Sequence, residues 1–268
     1  MRQKLSFAAA TLLVLSTMAG AENTGVEIRF IANEGVMITA GNSKLMIDGF
    51  LTEPSYGRYG SLTGEKARQL EEATALFSDV DLALSSHVHL DHFQPDSAAK
   101  FLRNNSQTLF ASSPQVIEAL EKLGPLSSSN IKPLWSEPGQ KMSLEVDGIE
   151  LEAFPLSHGT GRFAQIQNLG HLIRVNGLNI LHIGDAEMNP DNFKQAGIDQ
   201  YKIDIALIPY WYFQDIQGMK IINHFLDGRH KIALHIPPGD LEKIKKPMSE
   251  NFPSVHIFER AFEVKSFQ

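Results

Sequence analysis

Directly after an apolar run, Val80 to Ser85, the chain reads Ser86-His87-Val88-His89-Leu90-Asp91-His92. Four side chains able to bind a metal ion thus follow immediately on a buried strand. In an extended turn His87 and His89 point the same way, because side-chain direction repeats every two residues in extended chain. Asp91 and His92 follow as the chain bends. Imidazole and carboxylate suit zinc and related divalent ions, and loops at strand ends are where a rigid scaffold displays such groups.

Further along, three more ligand-type residues stand where an apolar strand meets Gly or Pro. His158 lies in Phe154-Pro155-Leu156-Ser157-His158-Gly159, Asp185 in Ile180-Leu181-His182-Ile183-Gly184-Asp185, and His235 in Ala233-Leu234-His235-Ile236-Pro237. Each one alone reads equally well as a packed or surface residue. Together they complete a site with nitrogen and oxygen donors for two ions. An unpaired carboxylate or imidazole buried at these positions would be costly.

The elements around these residues are mixed. Val26 to Asp48 reads as three strands in a meander, turned at Asn33-Glu34-Gly35 and Gly41-Asn42-Ser43. Residues 49–64 have no period and form a long loop. Helical spacing runs over Glu65 to Phe77, Pro95 to Leu102, Pro114 to Leu123, Ile216 to Leu226 and Leu241 to Met248, the last interrupted at Pro247. Strands are expected at Thr108 to Ala111, Ile131 to Trp135, Lys141 to Val146, Ile149 to Pro155, Gly170 to Val175, Leu178 to Ile183, Ile203 to Ile208, Lys231 to Leu234 and Val255 to Phe258. Asp147-Gly148 and Asn176-Gly177 are hairpin turns. Hairpins imply antiparallel pairing, and strand–helix–strand passages imply parallel pairing. Two face-to-face sheets with helices outside accommodate both, so the expected class is α/β, a four-layer αββα sandwich.

Composition sets the outer limits. The chain has 268 residues, a formal net charge of -7 and no cysteine. The missing cysteines exclude thiol catalysis and thiolate ligands. The acidic balance gives no basic surface for nucleic acid, so a small-molecule substrate is expected. Arg2 and Lys4, the apolar Leu5 to Met18 and the small Ala19-Gly20-Ala21 read as a signal peptide cleaved after Ala21. Residues 22–268 are then one domain without a transmembrane segment, exported to the periplasm or secreted.

The pattern His87-x-His89-x-Asp91-His92 resembles the signature of metallo-beta-lactamase-fold hydrolases, and His158, Asp185 and His235 match the remaining ligand motifs in order. Asp48 matches an early aspartate near the metals. The resemblance covers essentially all of residues 22–268. It implies that His87, His89 and His158 hold one divalent ion, that Asp91, His92 and His235 hold a second, and that Asp185 bridges them. Zinc is the best-suited ion, and the expected nucleophile is a hydroxide shared by the two metals and oriented by Asp91. Asp91 and Asp185 are thus the catalytic carboxylates. The stretches around 168–187 and 204–211 look most like the sugar-phosphate lactonase and phosphodiesterase branch. The ligand set speaks against a beta-lactamase, and export speaks against a glyoxalase II-type thioesterase. The expected activity is cleavage of a small ester, lactone or phosphodiester; the alternative is a non-enzymatic metal- or ligand-binding module. Tyr210 and Tyr212, after the Ile203 to Ile208 strand, and Arg162, after His158, are candidate substrate contacts. Tyr210, Tyr212, His171, His182 and His230 are candidates to protonate a leaving group, and Phe50, Tyr56 and Tyr59 could wall the pocket.

Overall fold

The computed structural model describes residues 25–126 and 130–268, so the expected signal peptide lies outside the described residues. The first sheet is built from β1 (Val26–Ala32), β2 (Gly35–Ala40), β3 (Ser43–Ile47), β4 (Leu82–Ser85), β5 (Leu109–Ser112), β6 (Ile131–Pro133) and the final strand of the chain, Val264–Phe267. The second contains β7 (Met142–Val146), β8 (Ile149–Pro155), β9 (Leu169–Val175), β10 (Leu178–His182), β11 (Ile205–Pro209), β12 (His230–Leu234) and β13 (Val255–Ile257). The final strand is β14. The strand orders are β14-β1-β2-β3-β4-β5-β6 and β13-β12-β11-β10-β9-β8-β7.

Both sheets repeat one plan. β14, β1, β2 and β3 pair antiparallel, and β4, β5 and β6 continue in parallel. β7 to β10 pair antiparallel, and β11 to β13 continue in parallel. The hairpins expected at Asp147-Gly148 and Asn176-Gly177 are present, with the positive φ angles that such tight turns demand (46° and 79°; 46° and 75°).

Alternation of side chains along the strands creates three apolar layers. Ile38, Leu45, Ile47, Leu82 and Leu84 face Leu151, Ile173, Ile180, Leu207 and Ile232 between the sheets. The opposite face of the first sheet, including Met37, Met46, Ala83 and Phe110, carries α1 (Gly64–Glu71), α2 (Pro95–Asn104) and α3 (Pro114–Glu121). On the second sheet, Leu172, Leu181, Ala206 and Ile208 carry α4 (Pro190–Gln195), α5 (Ile216–Phe225) and α6 (Leu241–Asn251). This is the expected four-layer sandwich.

Several elements differ from the sequence reading. The helix expected over Glu65 to Phe77 stops at Glu71, and Ala73 takes a positive φ of 51° before a short 3₁₀ turn at Ala75–Phe77. α6 runs through Pro247 to Asn251 rather than breaking there. Two elements went unread: α4, although Asn189 caps it by accepting from Asp191 N with Pro190 at its first position, and β14, a short strand that pairs with β1 from Val26↔Phe267 to Arg29↔Val264. No helix among the described residues is long and apolar enough to cross a membrane.

Candidate metal centre

Strand ends bring all seven predicted ligand residues to one place. His87, His89, Asp91 and His92 follow β4 of the first sheet, and His158, Asp185 and His235 follow β8, β10 and β12 of the second. Donor atoms of His87, His89, His158 and Asp185 lie within 4.8 Å of one another, and those of Asp91, His92 and His235 form a second such group. Asp185 faces both. Its Oδ2 is 4.0 Å from His87 Nε2 and 3.7 Å from His158 Nε2, while its Oδ1 is 3.4 Å from His92 Nε2 and 3.5 Å from His235 Nε2. His235 Nε2 also lies 3.2 Å from Asp91 Oδ2.

The donor set fits divalent cations. His87 Nε2 faces His89 Nδ1 at 3.0 Å, and His92 Nε2 faces His235 Nε2 at 3.0 Å. Two imidazole nitrogens cannot both present protons at that separation. Lone pairs converging beside carboxylate oxygens are what a cation resolves. His158 Nε2 and Asp185 Oδ1 are buried without hydrogen-bond partners, as such ligands would be. The fit covers one or two ions of the type bound by imidazole and carboxylate.

Asp48 fixes the imidazoles from behind. It is fully buried at the end of β3 and accepts from Ser85 Oγ (3.2 Å), Ser86 N (2.6 Å), Ser86 Oγ (2.5 Å) and His92 Nδ1 (2.8 Å). Ser86 Oγ, having donated to Asp48, accepts from His87 Nδ1 at 3.0 Å. Both rings thereby carry their protons on Nδ1 and turn Nε2 lone pairs into the site. Burial would raise the Asp48 carboxyl, but hydrogen bonding and charge from His92 outweigh it and hold the group below the usual carboxylate range. Burial likewise opposes ionisation of Asp185, and the surrounding His235 and His92 hold it well below that range. Burial, then the neighbouring His92, pushes His87 well below its ordinary value and keeps it a neutral ligand.

Three residues of this site escaped the sequence reading. Glu34 appeared as part of a turn, yet it is 1% exposed, with Oε2 3.6 Å from His92 Nδ1 and 3.4 Å from His182 Nε2. Burial raises its carboxyl well above the ordinary value. Asp48, not Glu34, accepts from Ser85, Ser86 and His92. Asn33 donates Nδ2 to the Asp91 carbonyl at 2.8 Å. Asn168 staples three segments: Nδ2 donates to the carbonyls of Leu156 and Ile183, and Oδ1 accepts from Asp185 N at 3.1 Å. Gly184 permits this junction. At φ 54° it lies against Asn168 and Ser86, where a Cβ would clash.

The other predicted contacts divide. Tyr212 is fully buried and donates its hydroxyl to the Ala186 carbonyl, so it packs beneath the site and presents no surface to a substrate. Tyr210 is partly exposed at the rim and accepts from Arg58, whose guanidinium also binds Asp240 at 3.2 Å. Arg162 is exposed and lies over the Phe163 ring, 4.6 Å from its centroid. Phe163 in turn stacks on His158 at 5.1 Å. Phe50 is buried among Phe93, Phe101 and Phe110 and walls nothing. Tyr59 and Trp211 both set ring edges against His235, at 4.6 and 4.8 Å, and Tyr56 approaches His89 at 6.5 Å. Trp211, next to Tyr210 in the same aromatic run, therefore joins Tyr56, Tyr59 and Phe163 in an aromatic frame.

His171 and His182 are cross-strand partners, both buried, and neither reaches a leaving group; His230 is at the start of β12, the far end from the ligand. Burial, then the adjacent His182, pushes His171 down to about 3. The folded form therefore resists a proton that the unfolded chain accepts below about 6.5. Stability is full above that value and falls as pH drops toward 3. The loss from His171 alone reaches about 2 kcal/mol at pH 5. Urea titrations at pH 7 and pH 5, with chelator present, are expected to show this slope, and a His171→Phe variant is expected to show less of it. Equal slopes would remove His171 as its source.

Comparison with known proteins supports the same assignment. The model of the beta-lactamase superfamily domain matches residues 49–246, well over half of the chain. A metal-dependent hydrolase of Pyrococcus horikoshii is 25% identical over 187 residues, 69% of this chain and 72% of that protein. Among solved structures, Igni18, a metallo hydrolase from Ignicoccus hospitalis, superposes with a TM-score of 0.59 at 18% identity, covering 91% of this chain and 99% of its own. YhfI of Bacillus subtilis, a metallo-beta-lactamase fold protein, does so with a TM-score of 0.61 at 14% identity, covering 91% and 99%. At those identities the two structures speak for the fold alone. With the family match, the sandwich and the convergent ligand cluster, the chain belongs to the beta-lactamase superfamily, the metal-dependent hydrolase superfamily of the metallo-beta-lactamase fold, and its ligand cluster is consistent with a hydrolytic metalloenzyme.

Proposed function

We propose that this protein is an exported, dinuclear hydrolase of small esters, with lactones the favoured class and zinc the favoured ion. The observation that carries the dinuclear reading is Asp185, whose two oxygens face two separate ligand groups. His87, His89 and His158 would hold one ion, and Asp91, His92 and His235 the other. Divalent ions bound there would supply Lewis acidity and make water easier to ionise near neutral pH. The chain itself holds the donors rigid through Asp48, Ser86 and Asn168, so little reorganisation is left for the reaction. Asp91, 3.2 Å from His235 Nε2, would orient the nucleophile. The aromatic frame of Tyr56, Tyr59, Phe163 and Trp211 would limit access of bulk water and receive an uncharged ring.

Export is proposed from the basic, apolar and small-residue succession over residues 1–21, which leaves 22–268 as the working domain. The lactone is preferred to the phosphodiester because Arg58, a cation at the rim, is engaged by Asp240. One observation favours the diester: Arg162 stands over Phe163, which stacks on His158, so it could reach a phosphoryl oxygen. Zinc-loaded protein assayed on a mixed panel of lactones and phosphodiesters separates these readings. Lactone turnover that survives Arg162→Ala is the expected result. Turnover confined to diesters, and lost in that variant, would replace the lactone reading. Zinc binding without turnover on either class would favour a binding module.

A further inference from the structure

Behind His235 lies a cavity of about 320 Å³ that the proposed reaction does not use. It opens on the β13–β14 side of the molecule, between the ends of β1 and β12 and the segment joining β13 to β14. The walls are mainly apolar, including Phe30, Ile236, Leu241 and Phe258. Yet three wall residues carry buried polar atoms without a hydrogen-bond partner: Asn33 Oδ1, Ser61 Oγ and His235 Nδ1.

The chemistry of these atoms is specific. His235 turns Nε2 toward Asp91 and Asp185, so with a cation on Nε2 its proton sits on Nδ1, which is then a donor. The Ser61 hydroxyl is a second donor. Asn33 has spent its amide nitrogen on the Asp91 carbonyl, which leaves Oδ1 as an acceptor. Two charged residues line the cavity. Glu259 is paired with Lys245 at 2.7 Å, and Arg260 is the cationic side chain of the lining.

We propose that this cavity is a binding site for a small hydroxycarboxylic acid with an apolar body. The carboxylate accepts from His235 Nδ1–H and Ser61 O–H under the field of Arg260, the hydroxyl donates to Asn33 Oδ1, and the hydrocarbon part lies among Phe30, Ile236, Leu241 and Phe258. Metal-binding imidazoles ordinarily donate their second nitrogen to an acceptor. Here the occupant supplies that acceptor. Occupancy and metal binding at His235 therefore strengthen each other, equally in both directions. This coupling and the donor on His235 Nδ1 rest on the metal reading given above; the contacts offered by Ser61, Asn33 and Arg260 do not.

The test uses 3-hydroxyhexanoate as probe, with 1,3-hexanediol as its uncharged counterpart. Calorimetric titration of metal-free protein is expected to show saturable binding of the acid. That binding should weaken about tenfold or more for the diol and for the surface variant Arg260→Gln, and should vanish in Ser61→Phe, which puts a large ring at a lining position. In a chelator competition, saturating acid is expected to tighten the weaker zinc step about tenfold. Absence of saturable binding, or equal binding by Arg260→Gln and the parent, overturns the site, as does a ligand-soaked structure with only water between Asn33, Ser61 and His235. Acid binding with unchanged zinc affinity overturns the coupling. Failure to bind zinc at all would instead sink the hydrolase reading and leave the cavity result standing.

Discussion

Asp185→Asn is expected to lower kcat/KM by about 1,000-fold or more on any substrate the protein turns over. The carboxylate presents one oxygen to each ligand group, with Nε2 atoms of four histidines within 3.4 to 4.0 Å. An amide keeps the volume but has a single acceptor oxygen and loses the charge. It can serve one group and leaves the other with an NH₂ that repels a cation. Bound zinc, counted by elemental analysis, should accordingly fall from two ions per chain toward one. A variant that keeps both ions and its turnover would show that the two groups do not share Asp185, and the dinuclear reading would fail with it. A control at Arg162 should retain both ions, because that side chain lies over Phe163 and outside either group.

The second large effect concerns Asp48. Replacing it with Ala strips the acceptor from two serine hydroxyls, the Ser86 amide and His92 Nδ1, all in a fully buried setting. Leaving buried donors without their charged acceptor costs about 3 kcal/mol or more. Losing the group that orients metal-binding imidazoles costs about 10- to 100-fold in metal affinity. Denaturant titration of the metal-free protein reads the first quantity, and chelator competition reads the second. Asp48→Asn should recover part of the stability, since its oxygen can still accept from Ser86 N, but less of the affinity, since it cannot hold the charge opposite His92. Should Asp48→Ala match the parent in both measurements, the orientation of His87 and His92 would have to come from elsewhere, and Glu34 would be the next residue to remove.

Local signals made much of this molecule readable. The strand leading into His87–His92, the Asp-Gly and Asn-Gly hairpins, and the Gly- or Pro-flanked ligands at 158, 185 and 235 each depend on neighbours in sequence, and the structure brings the seven ligand-type residues together. What stayed hidden depends on residues far apart in the chain. Glu34 sits between Asn33 and Gly35 and reads as part of a turn; the fold makes it a buried carboxyl 3.6 Å from His92 Nδ1. Asn168 has no motif of its own, because its partners come from 156, 183 and 185. Tyr212 follows a strand end, as a pocket residue would, but the 3₁₀ turn over Tyr210–Gln214 rotates it inward while leaving Trp211 against His235. β14 is short, and its four residues gain strand character only by pairing with β1.

The repeated strand plan places the two key aspartates in corresponding positions. β3 and β10 are each the fourth strand in the shared order, the last antiparallel member before the parallel series begins, and Asp48 follows one as Asp185 follows the other. Between them stands one ring. His92 meets Asp48 through Nδ1 at 2.8 Å and Asp185 through Nε2 at 3.4 Å. The imidazole thus lies between equivalent carboxylates of the two halves, one accepting its Nδ1 proton and the other facing its Nε2. What separates the supporting aspartate from the one in the ligand cluster is therefore which nitrogen of the same histidine each faces.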